Sequence, residues 1–114
     1  MQRRRRAVTA VDYDFYKRRF PELQEQFPVV FNKLYPLPLF VGVHKALEEN
    51  TNFTPKEISA LLNIWVQRHE YSCMACSIGR RYDLDGKDAG EIDPLEMTGF
   101  IKAVVRLHPN AIRK

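Results

Sequence analysis

The spacing of apolar residues predicts helical structure at the start of the chain. Val11, Phe15 and Phe20 begin a helical pattern that extends over residues 11–27. Pro21 lies inside this pattern and lacks a backbone N–H, so we expect the helix to be interrupted there. The first part of the chain is therefore expected to be helical with a break.

Further along the chain, proline and capping residues mark where elements begin. Two prolines in residues 35–39 predict an extended segment, and residues 43–49 form a short helical pattern. Thr54 at the N-cap, a proline after it and Glu57 at the third position form a capping box. The helix that starts there is expected to end near Arg68. Its apolar stripe consists of Ile58, Leu61, Leu62 and Trp65.

A hairpin signal follows a further short helix predicted over residues 70–77. Asp85 and Gly86 form the dipeptide that most strongly favours a tight β-turn. The first strand precedes this pair, and the return strand is expected around residues 90–92. We interpret the acidic residues of this segment as turn-forming rather than as a calcium loop, because the loop glycine and the final glutamate are missing.

A last helix is predicted over residues 94–107. Asp93 stands at its N-cap and Glu96 at its third position, as in a second capping box. The apolar residues available to the core are Leu95, Phe100, Ile101 and Val104. The predicted fold is mainly α, of the α+β class, with five or six helices and one small hairpin.

Length and composition indicate one soluble globular domain. The chain has 114 residues, of which 45% are hydrophobic and 28% charged. No apolar run is long enough to span a membrane. Two cysteines form no disulfide framework, so we expect a reduced, cytoplasmic compartment. We also expect a monomer. The predicted organisation is a flexible basic arm over residues 1–10, one domain over residues 11–108 and a short tail over residues 109–114.

The charge is concentrated at the N-terminus. The net charge is +4, and four arginines lie together in the arm, so the rest of the chain is neutral. These residues are Arg3, Arg4, Arg5 and Arg6. A basic arm on a neutral body suggests a polyanionic partner, either nucleic acid or an anionic lipid surface. The alternative is a solvated terminus without a partner.

The sequence contains no recognisable catalytic or cofactor motif. There is no GxSxG, HExxH, P-loop or GxGxxG pattern, so we expect neither enzyme activity nor a cofactor. His69, Cys73 and Cys76 would share one helix face, which is compatible with a zinc site or a thiol switch. No fourth ligand lies nearby, and a lone CxxC is weak evidence. We therefore expect two small, partly buried thiols and no metal.

Basic and aromatic residues cluster near the predicted hairpin. Tyr71, Arg80, Arg81 and Tyr82 lie within twelve residues, with Arg68 just upstream. Arginines beside tyrosines suit phosphate contacts and base stacking. The alternatives are that the tyrosine lies at the edge of the core and that the arginines line a solvated strand.

The start of the short helix at residue 43 is a second candidate. Gly42 precedes it, so the backbone N–H groups of Val43 and His44 would be exposed at the positive end of the helix dipole. Lys45 would add a positive charge. These groups could bind a phosphate or a terminal nucleotide, although Gly42 could also form a simple turn.

Several motifs in this order resemble the ProQ/FinO family of bacterial RNA-binding proteins. The resemblance covers residues 23–105. Its motifs are Phe27-Pro28-x-x-Phe31, Pro38-Leu39-x-Val41-Gly42-Val43, the capped helix at Thr54, Tyr71, and Arg81-x-Asp83-Leu84-Asp85-Gly86. The resemblance implies a compact helical domain that binds stem-loops followed by a single-stranded 3′ tail, as in small RNAs and terminators. It also implies a role as an RNA chaperone or post-transcriptional regulator.

The resemblance assigns roles to individual residues. Tyr71 and Arg81 match positions that contribute to RNA binding, and residues 42–45 match a pocket for the RNA 3′ end. We expect RNA contacts from Gly42, Val43, His44, Lys45, Lys56, Asn63, Arg68, Tyr71, Arg80 and Arg81.

The sequence departs from the family pattern at four positions. Basic residues of the family are replaced by Leu37, Phe40, Ser59 and Asn63. This should weaken the contacts with duplex phosphates, and we expect the basic arm, Lys56 and Arg68 to compensate. An alternative is a protein-interaction module on the same fold, with Leu37, Phe40 and Trp65 as its exposed apolar residues.

Overall fold

The computed structural model describes residues 8–107, and the Arg3–Arg6 segment lies outside this range. These residues form five helices and one two-stranded antiparallel hairpin, as predicted. The elements are α1 (Ala10–Gln26), α2 (Val43–Asn50), α3 (Pro55–Trp65), α4 (His69–Ile78), β1 (Arg80–Tyr82), β2 (Asp88–Glu91) and α5 (Pro94–Leu107). Within residues 8–107, no helix has the length and apolar character that a membrane span requires.

An aromatic cluster forms the centre of the core. The Trp65 ring is fully buried and stacks on Phe20 with 4.6 Å between ring centroids. Phe31 meets the same indole edge-on at 5.8 Å. The expectation that Trp65 is an exposed docking residue is therefore wrong: the α3 stripe points it inwards, between α1 and the turn that carries Phe31. Leu37 is also partly buried against this core.

Helix α1 is continuous, contrary to the predicted interruption at Pro21. Pro21 is exposed, so water can satisfy the carbonyl that loses its N–H partner. The buried side chains of Phe20 and Leu23, on either side of the proline, hold this part of the helix against the core. Val11 does not contribute to the core, since 78% of it is exposed.

Helix α3 begins as predicted and packs against α1 and α2. The Glu57 N–H donates to Thr54 Oγ1 at 3.2 Å, and the Thr54 N–H donates to Glu57 Oε1 at 2.9 Å. All four predicted stripe residues are buried. The helix ends at Trp65, three residues before the predicted end, and a turn leads to α4.

The hairpin has the predicted position, and residues 83–87 connect its two strands. The Asp83 carboxylate accepts hydrogen bonds from the N–H groups of Asp85 and Lys87, both at 2.9 Å, as expected of a turn-forming residue. Gly86 adopts φ +83°, and a Cβ there would lie 2.6 Å from Val29 Cγ1. The return strand begins at Asp88 rather than at residue 90.

Helix α5 has the predicted bounds but not the predicted capping box. Asp93 Oδ1 accepts from the Leu95 N–H at 2.9 Å, whereas the Glu96 carboxylate forms an ion pair with Arg81. Phe100 and Val104 are buried, as predicted. Leu95 and Ile101 were wrongly assigned to the core, because 79% and 42% of them, respectively, are exposed.

The burial of Trp65 leads to a stability prediction. Trp65→Ala should lower the free energy of unfolding by about 3–5 kcal/mol, because it removes the ring on which two others pack. Urea unfolding followed by circular dichroism measures this change. Tyr35→Ala is the matched control, since 65% of Tyr35 is exposed. We expect it to change stability by no more than about 0.5 kcal/mol. Equal effects of the two substitutions would contradict the proposed core.

Candidate nucleic-acid interface

An extended segment, residues 38–40, pairs with strand β1 and is called the strap below. The Tyr82 N–H donates to the Pro38 carbonyl at 2.8 Å, and the Phe40 N–H donates to the Tyr82 carbonyl at 3.1 Å. Leu39 thus forms a parallel bridge with Tyr82. The strap leads directly into the turn at Gly42, so β1 sets the position of that turn.

The side chain of Tyr71 fixes the strap from the side of α4. Its hydroxyl oxygen accepts a hydrogen bond from the Leu39 N–H at 2.8 Å. Tyr71 is only 3% exposed, and its ring lies 5.9 Å from that of Phe100. The structure thus agrees with the alternative that this tyrosine belongs to the edge of the core.

Arg81 binds the other backbone polar group of Leu39, its carbonyl. Its Nη1 donates to the Leu39 carbonyl at 2.6 Å, and its Nη2 lies 2.9 Å from Glu96 Oε1. The Arg81 side chain is 12% exposed. Tyr71 and Arg81 therefore hold the backbone N–H and C=O of Leu39 respectively, and Glu96 connects this arrangement to α5.

An open groove of about 740 Å³ lies beside the strap. It is lined by Leu39, Phe40, Val41, Gly42, Val43, His44, Ser59, Leu62, Asn63, Val66, Tyr71, Arg81 and Glu96. Six of the predicted RNA-binding residues thus share one surface: Gly42, Val43, His44, Asn63, Tyr71 and Arg81. Much of the remaining lining is apolar.

Gly42 forms the turn at one end of the groove. Its φ of +106° lies in a region that glycine adopts readily, and no side chain caps the helix that follows. The Val43 N–H already donates to the Phe40 carbonyl at 3.3 Å, so the prediction that it is an exposed, free donor is wrong. Within residues 8–107, the N–H groups of His44 and Lys45 in the first turn of α2 donate to no protein acceptor.

The groove carries little positive charge. Its charged lining consists of Arg81 and Glu96, which pair with each other. Ser59 and Asn63 line it at positions where the resemblance implies basic residues. Residues 8–107 hold 12 Lys and Arg residues against 14 Asp and Glu residues, a formal charge of −2. The excess of basic residues lies entirely in the segments outside this range.

The other predicted basic residues lie elsewhere. Lys45 and Lys56 are exposed but do not line the groove. Arg80 forms ion pairs with Asp88 and Glu91 across the hairpin. Arg68 lies over the Trp65 ring, 4.6 Å from its centroid, and its Nη2 is 3.3 Å from Glu70 Oε1. The structure therefore does not bring these four residues together with Tyr71 and Arg81.

The two cysteines are free thiols on α4. Cys73 Sγ lies 3.4 Å from His69 Nδ1. Within residues 8–107, no group of three or more His, Cys, Asp or Glu side chains is placed to hold a metal ion. Burial raises the pKa of Cys73 and of Cys76 above the ordinary value, and a raised pKa disfavours the reactive thiolate. Both thiols are partly buried, as expected.

The sequence did not indicate the groove position of Phe40, Val66 or Glu96. Phe40 is predicted only as a replaced basic residue and as an exposed apolar residue of the alternative module, and Glu96 only as a capping residue. The helical spacing of residues 59, 62, 63 and 66 would have indicated a common face. The pairing of Glu96 with Arg81 joins residues 15 positions apart and has no local sequence signal.

Comparison with known proteins agrees with the fold. The chain resembles the solved structure of a FinO-like RNA chaperone from Neisseria meningitidis MC58, with a TM-score of 0.70 and 19% identity. This match covers 85% of the present chain and 82% of the other. A ProQ homologue from Legionella pneumophila matches with a TM-score of 0.56 and 17% identity, over 100% of this chain and 96% of that one. No curated protein sequence matches the chain.

The family comparison covers nearly the whole chain. The sequence pattern of the ProQ/FINO family matches residues 16–113, which include the strap, the groove and the hairpin. The resemblance found from the motifs is thereby confirmed, and the chain belongs to the ProQ/FinO family.

Proposed function

We propose that this protein binds structured RNA with a single-stranded 3′ end and acts as an RNA chaperone or post-transcriptional regulator. Family membership and the groove beside the strap support this function. We further propose that the protein is a monomer in the cytoplasm. It acts by binding RNA and uses neither a reaction nor a cofactor. The solved relative from Neisseria meningitidis is described as an RNA chaperone, which agrees with this role.

The groove suits bases and a chain end better than duplex phosphates. Phe40 offers an aromatic ring, and Leu62 and Val66 add apolar lining. Unstacked bases of a single strand pack well on such surfaces. The N–H groups of His44 and Lys45 at the start of α2 would bind the terminal phosphodiester. This combination is the observation on which the proposal depends.

Tyr71 and Arg81 have two roles in this proposal. They hold the strap through Leu39, and their remaining surface lines the groove that receives RNA. A phosphate that approaches Arg81 must compete with the Glu96 carboxylate. Substitution of either residue would change both the strap and the RNA contact, so other positions give a clearer test.

The contacts with a duplex stem are expected to be weak. The groove has no unpaired arginine. Lys45 and Lys56 are the exposed basic residues that lie closest in the sequence to residues of the groove. The Arg3–Arg6 segment, which lies outside the described residues, would supply the remaining cationic contacts. Recognition should therefore depend more on the 3′ end than on the stem.

The first prediction concerns the RNA 3′ end. A hairpin with a single-stranded uridine tail and a free 3′-hydroxyl should bind about tenfold more tightly than the same RNA with a 3′-phosphate, because the blocked end loses hydrogen bonds in the groove. Fluorescence anisotropy with the two labelled RNAs measures the difference. Equal affinities would argue against the 3′-end site, and failure to bind either RNA would favour the protein-interaction alternative.

The second prediction restores a basic residue. Ser59 is exposed and lines the groove, so Ser59→Arg should tighten hairpin binding by up to about fivefold at low salt. The slope of log K against log salt should steepen by about 0.9 if one duplex phosphate is contacted. Ser77→Arg places the same charge on an exposed position of α4 outside the groove. A similar gain in both variants would show that the groove is not the binding surface.

A further inference from the structure

We infer that the protein has a second RNA-binding site, for a single-stranded segment, in a pocket between α1 and Arg68. The pocket has a volume of about 390 Å³ and shares no lining residue with the groove. This inference rests on the proposed function only in taking RNA to be the ligand. The two sites would allow one molecule to contact RNA on two faces.

A ladder of aromatic rings leads from the core to this pocket. Trp65 stacks on Phe20, and the Phe20 ring lies 4.8 Å from that of Tyr16. The Tyr16 ring stacks on that of Tyr13, with 6.2 Å between centroids and 16° between planes. Tyr13 is the outermost ring and is 51% exposed. A nucleobase could therefore extend the ladder by stacking on Tyr13, an interaction that tolerates any base.

The charge of this pocket differs from that of the groove. Its lining includes Lys17, Lys33 and Arg68 and no acidic residue. Within residues 8–107, neither lysine forms an ion pair, although Lys17 Nζ lies 5.7 Å from the centre of the Tyr13 ring. Arg68 already packs on the Trp65 ring and forms an ion pair with Glu70. The two lysines are therefore the available phosphate ligands. Unpaired cations beside exposed rings are the combination that single-stranded nucleic acid requires.

The position of the pocket separates it from the groove. Ser59, Leu62 and Asn63 of α3 face the groove, whereas Ile64 lines the pocket. With about 100° between successive helical residues, Ile64 lies about 150° around the helix from the middle of that face. One strand cannot fill both sites without passing around α3.

The outer part of the pocket lies outside the range that the family model matches. The family match begins at residue 16, so Tyr13 precedes it. The Arg3–Arg6 segment, which lies outside the described residues, precedes Tyr13 in the sequence. The basic arm and the exposed tyrosine therefore belong to the same end of the chain, which favours RNA over a neutral ligand.

The test uses the full chain and a labelled uridine octanucleotide with a 3′-phosphate, which lacks the free end expected to occupy the groove. Tyr13→Ala should weaken its binding about fivefold or more, because the base can no longer stack on an aromatic ring. The double variant Lys17→Gln/Lys33→Gln should reduce the slope of log K against log salt by about 0.7 for each phosphate that is no longer neutralised. Fluorescence anisotropy measures both effects, and circular dichroism checks the fold of each variant.

Two exposed residues provide matched controls. Tyr35→Ala and Lys102→Gln remove the same groups from positions that do not line this pocket, and should leave octanucleotide binding unchanged. Loss of binding in the lysine variant alone would indicate attraction of any polyanion and overturn the stacking site. Unchanged binding in both pocket variants would overturn the whole inference.

The tailed hairpin, measured in parallel, separates this inference from the proposed function. Discrimination of its 3′ end without any effect of Tyr13→Ala on the octanucleotide would leave the groove as the single site. Octanucleotide binding that depends on Tyr13, without discrimination of the 3′ end, would support the pocket and reject the proposed groove.

Discussion

The arrangement of this protein depends on how the backbone of Leu39 is held. Its N–H donates to Tyr71 and its carbonyl accepts from Arg81, while its neighbours pair with Tyr82. Three separate elements, α4, β1 and, through Glu96, α5, thus meet at one residue of an irregular segment. Buried backbone groups that lack partners are costly, so this residue has little freedom to move. The turn at Gly42 and the groove beside it keep their shape for this reason.

The local elements of the fold could be predicted because their signals lie within a few residues of each other. The capping box of Thr54 and Glu57 and the turn at Asp83 are examples. The interactions that build the groove could not be predicted in this way. Tyr71 meets Leu39 over 32 positions and Arg81 meets it over 42. Trp65 shows a related limit: its spacing marked the apolar face of α3, but whether other rings would cover it depended on where α1 packs.

Membership of the ProQ/FinO family and the chemistry of the groove give different information. The family match spans most of α1, the other helices, the strap and the hairpin. The residues at positions 40, 59 and 63 determine what the groove can contact, and here they supply a ring, a hydroxyl and an amide. A shared framework can thus present surfaces with different preferences for phosphate and base. The motif resemblance located the candidate site, but the carboxylate beside Arg81 was visible only in three dimensions.

The pairing of arginines with carboxylates has a kinetic consequence. Arg18, Arg19, Arg80 and Arg81 each have an acidic neighbour within the folded part. A polyanion that meets one of these four arginines must displace the acidic partner before it gains the contact, so such encounters should be short-lived. Under the proposed function, the basic ends of the chain would accelerate association, whereas the fit of RNA in the groove would set the dissociation rate. Speed of capture and residence time would thus be controlled by different parts of the same small molecule.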